Sequence, residues 1–177
     1  MDFGISGKRA LVLASSRGLG LGIATALVKE GVNVLLVGRT SEKLEANCQA
    51  LNALGKGKAD WVRGDISEAN FVAEMVDAVK QKLGGIDILI NNTGGPTPGT
   101  AEEITAEKLE TFFQSMVLRV ITLTGAFLPQ MKEQRWGRIV TVASSGVFEP
   151  IPNLALSNTL RGALVGWNNT LATEIAG

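Results

Sequence analysis

The 177-residue chain contains no histidine and no tyrosine. Without imidazole there is no Ser-His-Asp triad and no side chain that titrates near neutrality unperturbed. Without a phenol there is no moderately acidic hydroxyl to donate a proton. The single cysteine, Cys48, excludes an internal disulfide framework and fits a reducing compartment. One thiol and no imidazole also leave ordinary transition-metal sites without ligands, so no metal is expected. Charge is balanced, 17 basic against 17 acidic side chains, which gives no general attraction to nucleic acid or an anionic membrane. No uninterrupted apolar run reaches the roughly 18 residues of a membrane span. Asp2 and the lack of a cleavage-like segment argue against a signal peptide. These absences predict a soluble, cytoplasmic chain with neither nucleic acid nor membrane as partner.

Hydrophobic residues make up 45% of the chain, enough to form one substantial core over residues 1–177. Short runs rich in Val, Ile and Leu recur at 9–14, 32–37, 60–64, 86–92 and 138–144. Their near-continuous apolar character suits strands covered on both faces, as in a parallel sheet. Between them lie segments with helical spacing: 20–31, 40–55, 67–85 and about 106–132, with a last helix bearing Leu160, Leu164, Trp167, Leu171 and Ile175 on one side. Strands alternating with helices predict an α/β fold, a Rossmann-type doubly wound parallel sheet flanked by helices. The chain ends directly after its last helix, which would leave 138–144 as an edge strand although it reads as buried. A C-terminally incomplete domain, lacking one or more strands, is the expectation. The long helix and the last one carry apolar residues on more than one side, predicting contact with a second subunit.

The first strand runs into "LASSRGLGLGI" (13–23), with Gly18 and Gly20 where a strand turns into a helix. That arrangement brings backbone N–H groups and a helix N-terminus against phosphate. Tight helix–strand packing without a ligand would read the same.

On these residues the chain resembles the short-chain dehydrogenase/reductase family, particularly its 3-oxoacyl-[acyl carrier protein] reductase-like members. The family's Thr-Gly-x-x-x-Gly-x-Gly loop is similar to residues 13–20, with Leu13-Ala14 in place of Thr-Gly. "GDI" (64–66) resembles the family's adenine-contacting Asp segment, and "NNTGG" (91–95) its Asn-Asn-Ala-Gly segment. The resemblance implies cofactor contacts from Ser15, Ser16, Arg17, Gly18, Leu19 and Gly20, from Asp65 and Ile66, and from Asn91, Thr93 and Gly94. On their own chemistry, Asp65 also reads as a strand-end turn residue or helix cap, and Asn91 as a tie between strand ends. Where an NAD-binding fold has an acidic residue for the ribose hydroxyls, this chain has Arg39 in "VGRTSEK". With Arg17 in the loop, two guanidinium groups can meet a 2′-phosphate, so NADP(H) is favoured over NAD(H).

The family's catalytic Ser is matched by Ser144 in "VASSG". Its Tyr, thirteen residues on, is replaced by Ser157, and its Lys, four further, by Arg161. Met116 takes the place of its helical Asn. Serine is far less acidic than a phenol, and arginine does not release its proton. Either Ser157 caps a helix and Arg161 is a surface or ribose-binding cation, or the site is reassigned. In the second case Ser144 and Ser157 orient substrate and water delivers the proton. Two functions stay open: an NADP(H)-dependent oxidoreductase acting on a small ketone or secondary alcohol, acyl-type substrates included, or an NADP(H)-binding homologue without that chemistry, a sensor or regulator. The resemblance also points to a homodimer or homotetramer. Cys48 reads as a packing residue, Phe112, Phe113, Phe127 and Trp167 as core or helix–helix contacts, and "GGPTPGT" (94–100) as either a pocket-lining or a plain loop.

Overall fold

The structure, a computed structural model, describes residues 2–176. Five parallel strands form one sheet: β1 (Arg9–Val12), β2 (Asn33–Gly38), β3 (Ala59–Arg63), β4 (Ile88–Asn91) and β5 (Arg138–Thr141). Their spatial order is β3-β2-β1-β4-β5, so the winding direction reverses between β1 and β4. In open sheets of this kind, ligands bind beyond the carboxyl ends of the strands at such a reversal. The helices are α1 (Gly18–Lys29), α2 (Ser41–Asn52), α3 (Phe71–Leu83), α4 (Ala106–Phe113), α5 (Arg119–Glu133) and α6 (Ala155–Ile175). The expected doubly wound α/β architecture is therefore present.

Alternate side chains of the strands enter two cores. Ala10, Val12, Val34, Leu36, Ile88 and Ile90 meet Ala24 and Val28 of α1 and Leu44, Cys48 and Leu51 of α2. Leu11, Leu13, Leu35, Val37 and Leu89 meet Phe71, Met75 and Val79 of α3 and Leu123, Phe127 and Met131 of α5. A third cluster joins Met116, Val117 and Val120 to Leu160 and Leu164, seating α6 on the long helix. Both helical layers cover β1, whereas at β5 Ile139 packs against the α3–α5 core and the other face is left more open. Val140 is in register with Ile90 and so faces the α1–α2 side, where it is 48% exposed. The reading of 138–144 as a buried strand is corrected here: its apolar character is real, but one of its faces has no helix over it.

Two helix boundaries differ from the sequence pattern. Residues 67–70 form a turn rather than the start of α3, because the Asp65 carboxylate accepts from the Ser67 amide (3.0 Å) and hydroxyl (2.8 Å). The helix predicted over 106–132 is a continuous helical run, but residues Gln114–Leu118 adopt π geometry between α4 and α5. By length and composition the run Ala106–Glu133 would suffice to cross a membrane, with a mean hydropathy of 1.4 over its most apolar window. Trp136, in the turn before β5, lies under two cations, Lys8 at 4.1 Å and Arg138 at 4.8 Å from the ring centroid.

At the opposite end of the sheet from the reversal's carboxyl edge, Asp87 pairs with Arg9 at 2.9 Å and also accepts from the Arg9 amide. Burial opposes the Asp87 charge, but the Arg9 hydrogen bonds and charge outweigh it and hold the carboxyl below its ordinary range. A depressed carboxyl pKa contributes stability that is complete above the unfolded value near 4 and is lost as pH falls through the folded value. Asp87→Asn is expected to lower stability at pH 7 by about 2–3 kcal/mol, the low end for a broken buried pair because Arg9 stays partly solvated. It is also expected to flatten the loss of stability below pH 4. Urea titrations at pH 7 and pH 3.5 check both.

Candidate active site

The loop between β1 and α1 is fastened to the end of β2 residue by residue. The Ser15 amide donates to the Val37 carbonyl (2.8 Å), and the Ser15 hydroxyl accepts from the Val37 amide (2.9 Å). Ser16 packs on Gly38, where a Cβ would lie 3.1 Å from the Ser16 Cβ. The two strand ends thus carry their next residues, Arg17 and Arg39, to the same mouth. Gly20 sits against the loop so closely that an added Cβ would lie 2.3 Å from the Ala14 carbonyl oxygen. Ala14 itself has φ +47° and Gly18 φ +58°.

A cleft of about 510 Å³ opens over these groups at the reversal between β1 and β4. Ser16, Arg17, Gly18, Leu19, Arg39, Asp65, Ile66, Thr93, Gly94 and Met116 line it. Ser15, Gly20 and Asn91 lie beneath its wall. Ser15 is fully buried, and the Asn91 side-chain amide donates to the Thr124 hydroxyl of α5 at 3.0 Å. The sequence reading assigned no cofactor contact to Asn92, Phe112 or Ser115, which also line the cleft. Ser115 reaches it within the π turn, where a 3.6-residue period gives the wrong face, and Phe112 from the last turn of α4. Asn92 stood in the quoted "NNTGG"; its amide donates to the Ala14 carbonyl at 3.4 Å.

These residues fit a dinucleotide. No side chain caps the first turn of α1, and that turn carries no acidic residue, so its N–H groups point toward the cleft unopposed. The buried Thr93 hydroxyl has no partner of its own. Among the described residues, the Arg17 and Arg39 side chains make no hydrogen bond or ion pair, and both are exposed at the mouth. Asp65 is held ionised by the Ser67 amide above all, against its partial burial, with help from the Ser67 hydroxyl, Arg39 and Arg63. Cys48 takes no part: burial pushes its thiol up to about 11, which leaves it protonated.

The remaining candidates are not among the residues lining the cleft. Ser144 ends the β5 extension, and its hydroxyl accepts from the Gly146 amide at 3.1 Å. Ser157 is the third residue of α6; the N-cap is Leu154, so the expectation that Ser157 caps the helix is corrected. Arg161 is half-buried and donates from Nη1 to the Val142 carbonyl at 2.7 Å, tying α6 to the end of β5. Burial pulls its pKa below the usual arginine value.

The sequence and geometry agree with comparison to known proteins. Residues 8–177 match the short chain dehydrogenase family, and the chain belongs to it. It is 32% identical over 173 residues to the ketoacyl reductase HetN of Nostoc sp., covering 98% of this chain and 60% of that relative. The chain thus spans about three fifths of that relative's length. Among solved structures, it resembles L-sorbose reductase from Gluconobacter frateurii complexed with NADPH and L-sorbose. That match has TM-score 0.93 and 32% identity over 99% of this chain and 67% of the reductase. An NAD⁺-bound xylitol dehydrogenase matches with TM-score 0.88 and 28% identity over 97% of this chain and 66% of its own.

Ala14 occupies the position of the family's first loop glycine, and a left-handed alanine costs about 1–2 kcal/mol. Ala14→Gly is expected to raise stability by up to ~1 kcal/mol after the added freedom of the unfolded chain is deducted, or roughly 2–4 °C in Tm. Gly20→Ala is expected to lower it, because the loop carbonyl must move. Thermal unfolding of both variants measures the two shifts, and equal signs would contradict the packing described.

Proposed function

We propose that this chain forms the nucleotide-binding core of an NADP(H)-dependent oxidoreductase acting on a small ketone or secondary alcohol, acyl-type substrates included. The observation that carries this reading is the cleft at the β1–β4 reversal with Arg17 and Arg39 unpaired at its mouth. When bound, NADPH supplies the hydride. The α1 amides and Thr93 would hold its phosphates and ribose, and the two guanidinium groups its 2′-phosphate. The L-sorbose reductase complexed with NADPH supports that choice, while the NAD⁺-bound xylitol dehydrogenase shows that the fold accepts either nucleotide.

A second reading, nucleotide binding without the family's chemistry, is favoured by one observation. Arg161 at the Lys position donates to the Val142 carbonyl, and neither Ser144, Ser157 nor Arg161 lines the cleft. We also propose a cytoplasmic homodimer or homotetramer. The outward faces of α4, the π turn and the start of α5 leave Leu109, Phe113 and Leu118 at 36%, 40% and 36% exposure, apolar surface that a second copy would cover.

NADPH is expected to bind at least about tenfold more tightly than NADH, since a charge-assisted phosphate contact contributes about 1.5–3 kcal/mol and ~1.4 kcal/mol is tenfold. Arg39→Asp is expected to abolish the preference. Calorimetric titration with both nucleotides measures it, and equal affinities in the wild type would refute the charge reading.

Reduction of simple ketones is expected to be slow, because a positioned general acid contributes about 10²–10⁴-fold and Ser157 cannot act as one. Ser157→Tyr with Arg161→Lys is expected to raise kcat, and adding Met116→Asn to raise it further. Ser144→Ala should remove the gain. A wild-type kcat near 10 s⁻¹, about the enzyme median, together with variants that only lower it, would mean that the native site has its own proton path.

A further inference from the structure

We infer that Asn47, on α2, is a positioning residue that sets the discrimination between NADPH and NADH. This rests on the NADP(H) reading above and names the part of the fold that enforces it. The Asn47 side-chain amide donates to the Ser16 carbonyl at 3.1 Å, a bond reaching 31 residues back along the chain. Asn47 is half-buried on the helix that begins two residues after Arg39. Ser16 is the residue immediately before Arg17, and it lies on Gly38, the residue immediately before Arg39.

The consequence is geometric. Ser15 is locked to Val37 by backbone and hydroxyl bonds, but that lock ends one residue short of the arginine-bearing turn. From Ser16 onward, what ties the loop to the β2–α2 connection is the contact on Gly38 and the Asn47 bond. Neither arginine side chain has a partner among the described residues, so no ion pair of their own fixes them. A 2′-phosphate needs both guanidinium groups at one spacing, whereas a free 2′-hydroxyl needs neither. Loosening Ser16 therefore acts on the nucleotide that uses Arg17 and Arg39 together, and leaves the other nearly unchanged.

The test is a binding titration of the 177-residue chain with NADPH and with NADH, in the wild type and in Asn47→Leu, which keeps volume and removes the donor. NADPH affinity is expected to fall about three- to tenfold, the worth of one hydrogen bond, with NADH affinity changed less than about twofold. In an Arg17→Ala background the same substitution should leave NADPH affinity unchanged, because the group it positions is gone. Asn47→Ser, a smaller change, should show the same pattern and covers the case in which the leucine variant does not fold. A wild-type preference that survives both substitutions, or an equal loss for both nucleotides, would overturn the assignment while leaving the NADP(H) reading intact. Equal wild-type binding of the two nucleotides would overturn both.

Discussion

The contact on which the rest of the site depends is between Gly20 and the carbonyl of Ala14. Because a Cβ at position 20 would lie 2.3 Å from that oxygen, α1 can start directly on the end of β1 only with glycine there. That close start forces the chain through a tight turn in which Ala14 takes a left-handed conformation and Gly18 another. It also leaves the first turn of α1 without a side-chain cap, so the donors every helix leaves unpaired face the cleft. Asn92 then reaches from the end of β4 to the same Ala14 carbonyl, so the strand across the reversal is fixed to the loop as well. One steric limit thus sets the turn, the direction of the free amides and the gap between β1 and β4.

The sheet's other edge has a different physical character. β5 has the Val and Ile content of an interior strand, yet a helical layer covers only one of its faces. The α1–α2 layer ends over β4, which is why Ile90 is buried and its neighbour in register, Val140, is half-exposed. What holds β5 on its covered side is α6, through Leu160 and Leu164 on the long helix, the Arg161 bond to Val142 and the Thr141–Asn168 bond at 3.2 Å. Ser144, Ser157 and Arg161 therefore depend on this one-sided packing for their positions.

Much of this was legible in the sequence, and the reasons differ by level. Short near-continuous runs of Val, Ile and Leu marked five strands and 3.6-residue spacing the helices between them, because burial on both faces of a sheet and on one face of a helix imposes those patterns. The convergence of Arg17, Gly18, Arg39, Asp65 and Thr93 on one cleft was legible because they sit at strand ends, where a parallel sheet must bring loops together. What was not legible came from side chains serving the backbone. Ser15 read as a cofactor contact, whereas its buried hydroxyl bonds backbone on both sides, donating to the Val12 carbonyl and accepting from the Val37 amide. Asp65 shapes its own turn through Ser67, which delays α3 to Phe71. The π turn shifts the helical phase at Ser115 and Met116, so no fixed period could assign their faces. The exposure of Val140 depends on how far a neighbouring layer extends, and that is a tertiary fact.

The same distinction bears on what this site can do with a proton. Ser144 accepts from the Gly146 amide, which leaves its own hydroxyl proton free to be donated in a hydrogen bond. Because Ser144 is not among the residues lining the cleft, such a donor orients a carbonyl oxygen only for a substrate that reaches beyond that lining. It cannot complete the protonation at a useful rate, since a serine hydroxyl is far too weak an acid near neutral pH. Arg161 adds a fixed positive charge, half-removed from water and with no carboxylate among its partners, but a guanidinium keeps its protons. Arg161, like Ser144, lies outside the cleft lining, and neither group is a competent proton donor near neutral pH. Under the oxidoreductase reading, these residues leave the proton to solvent.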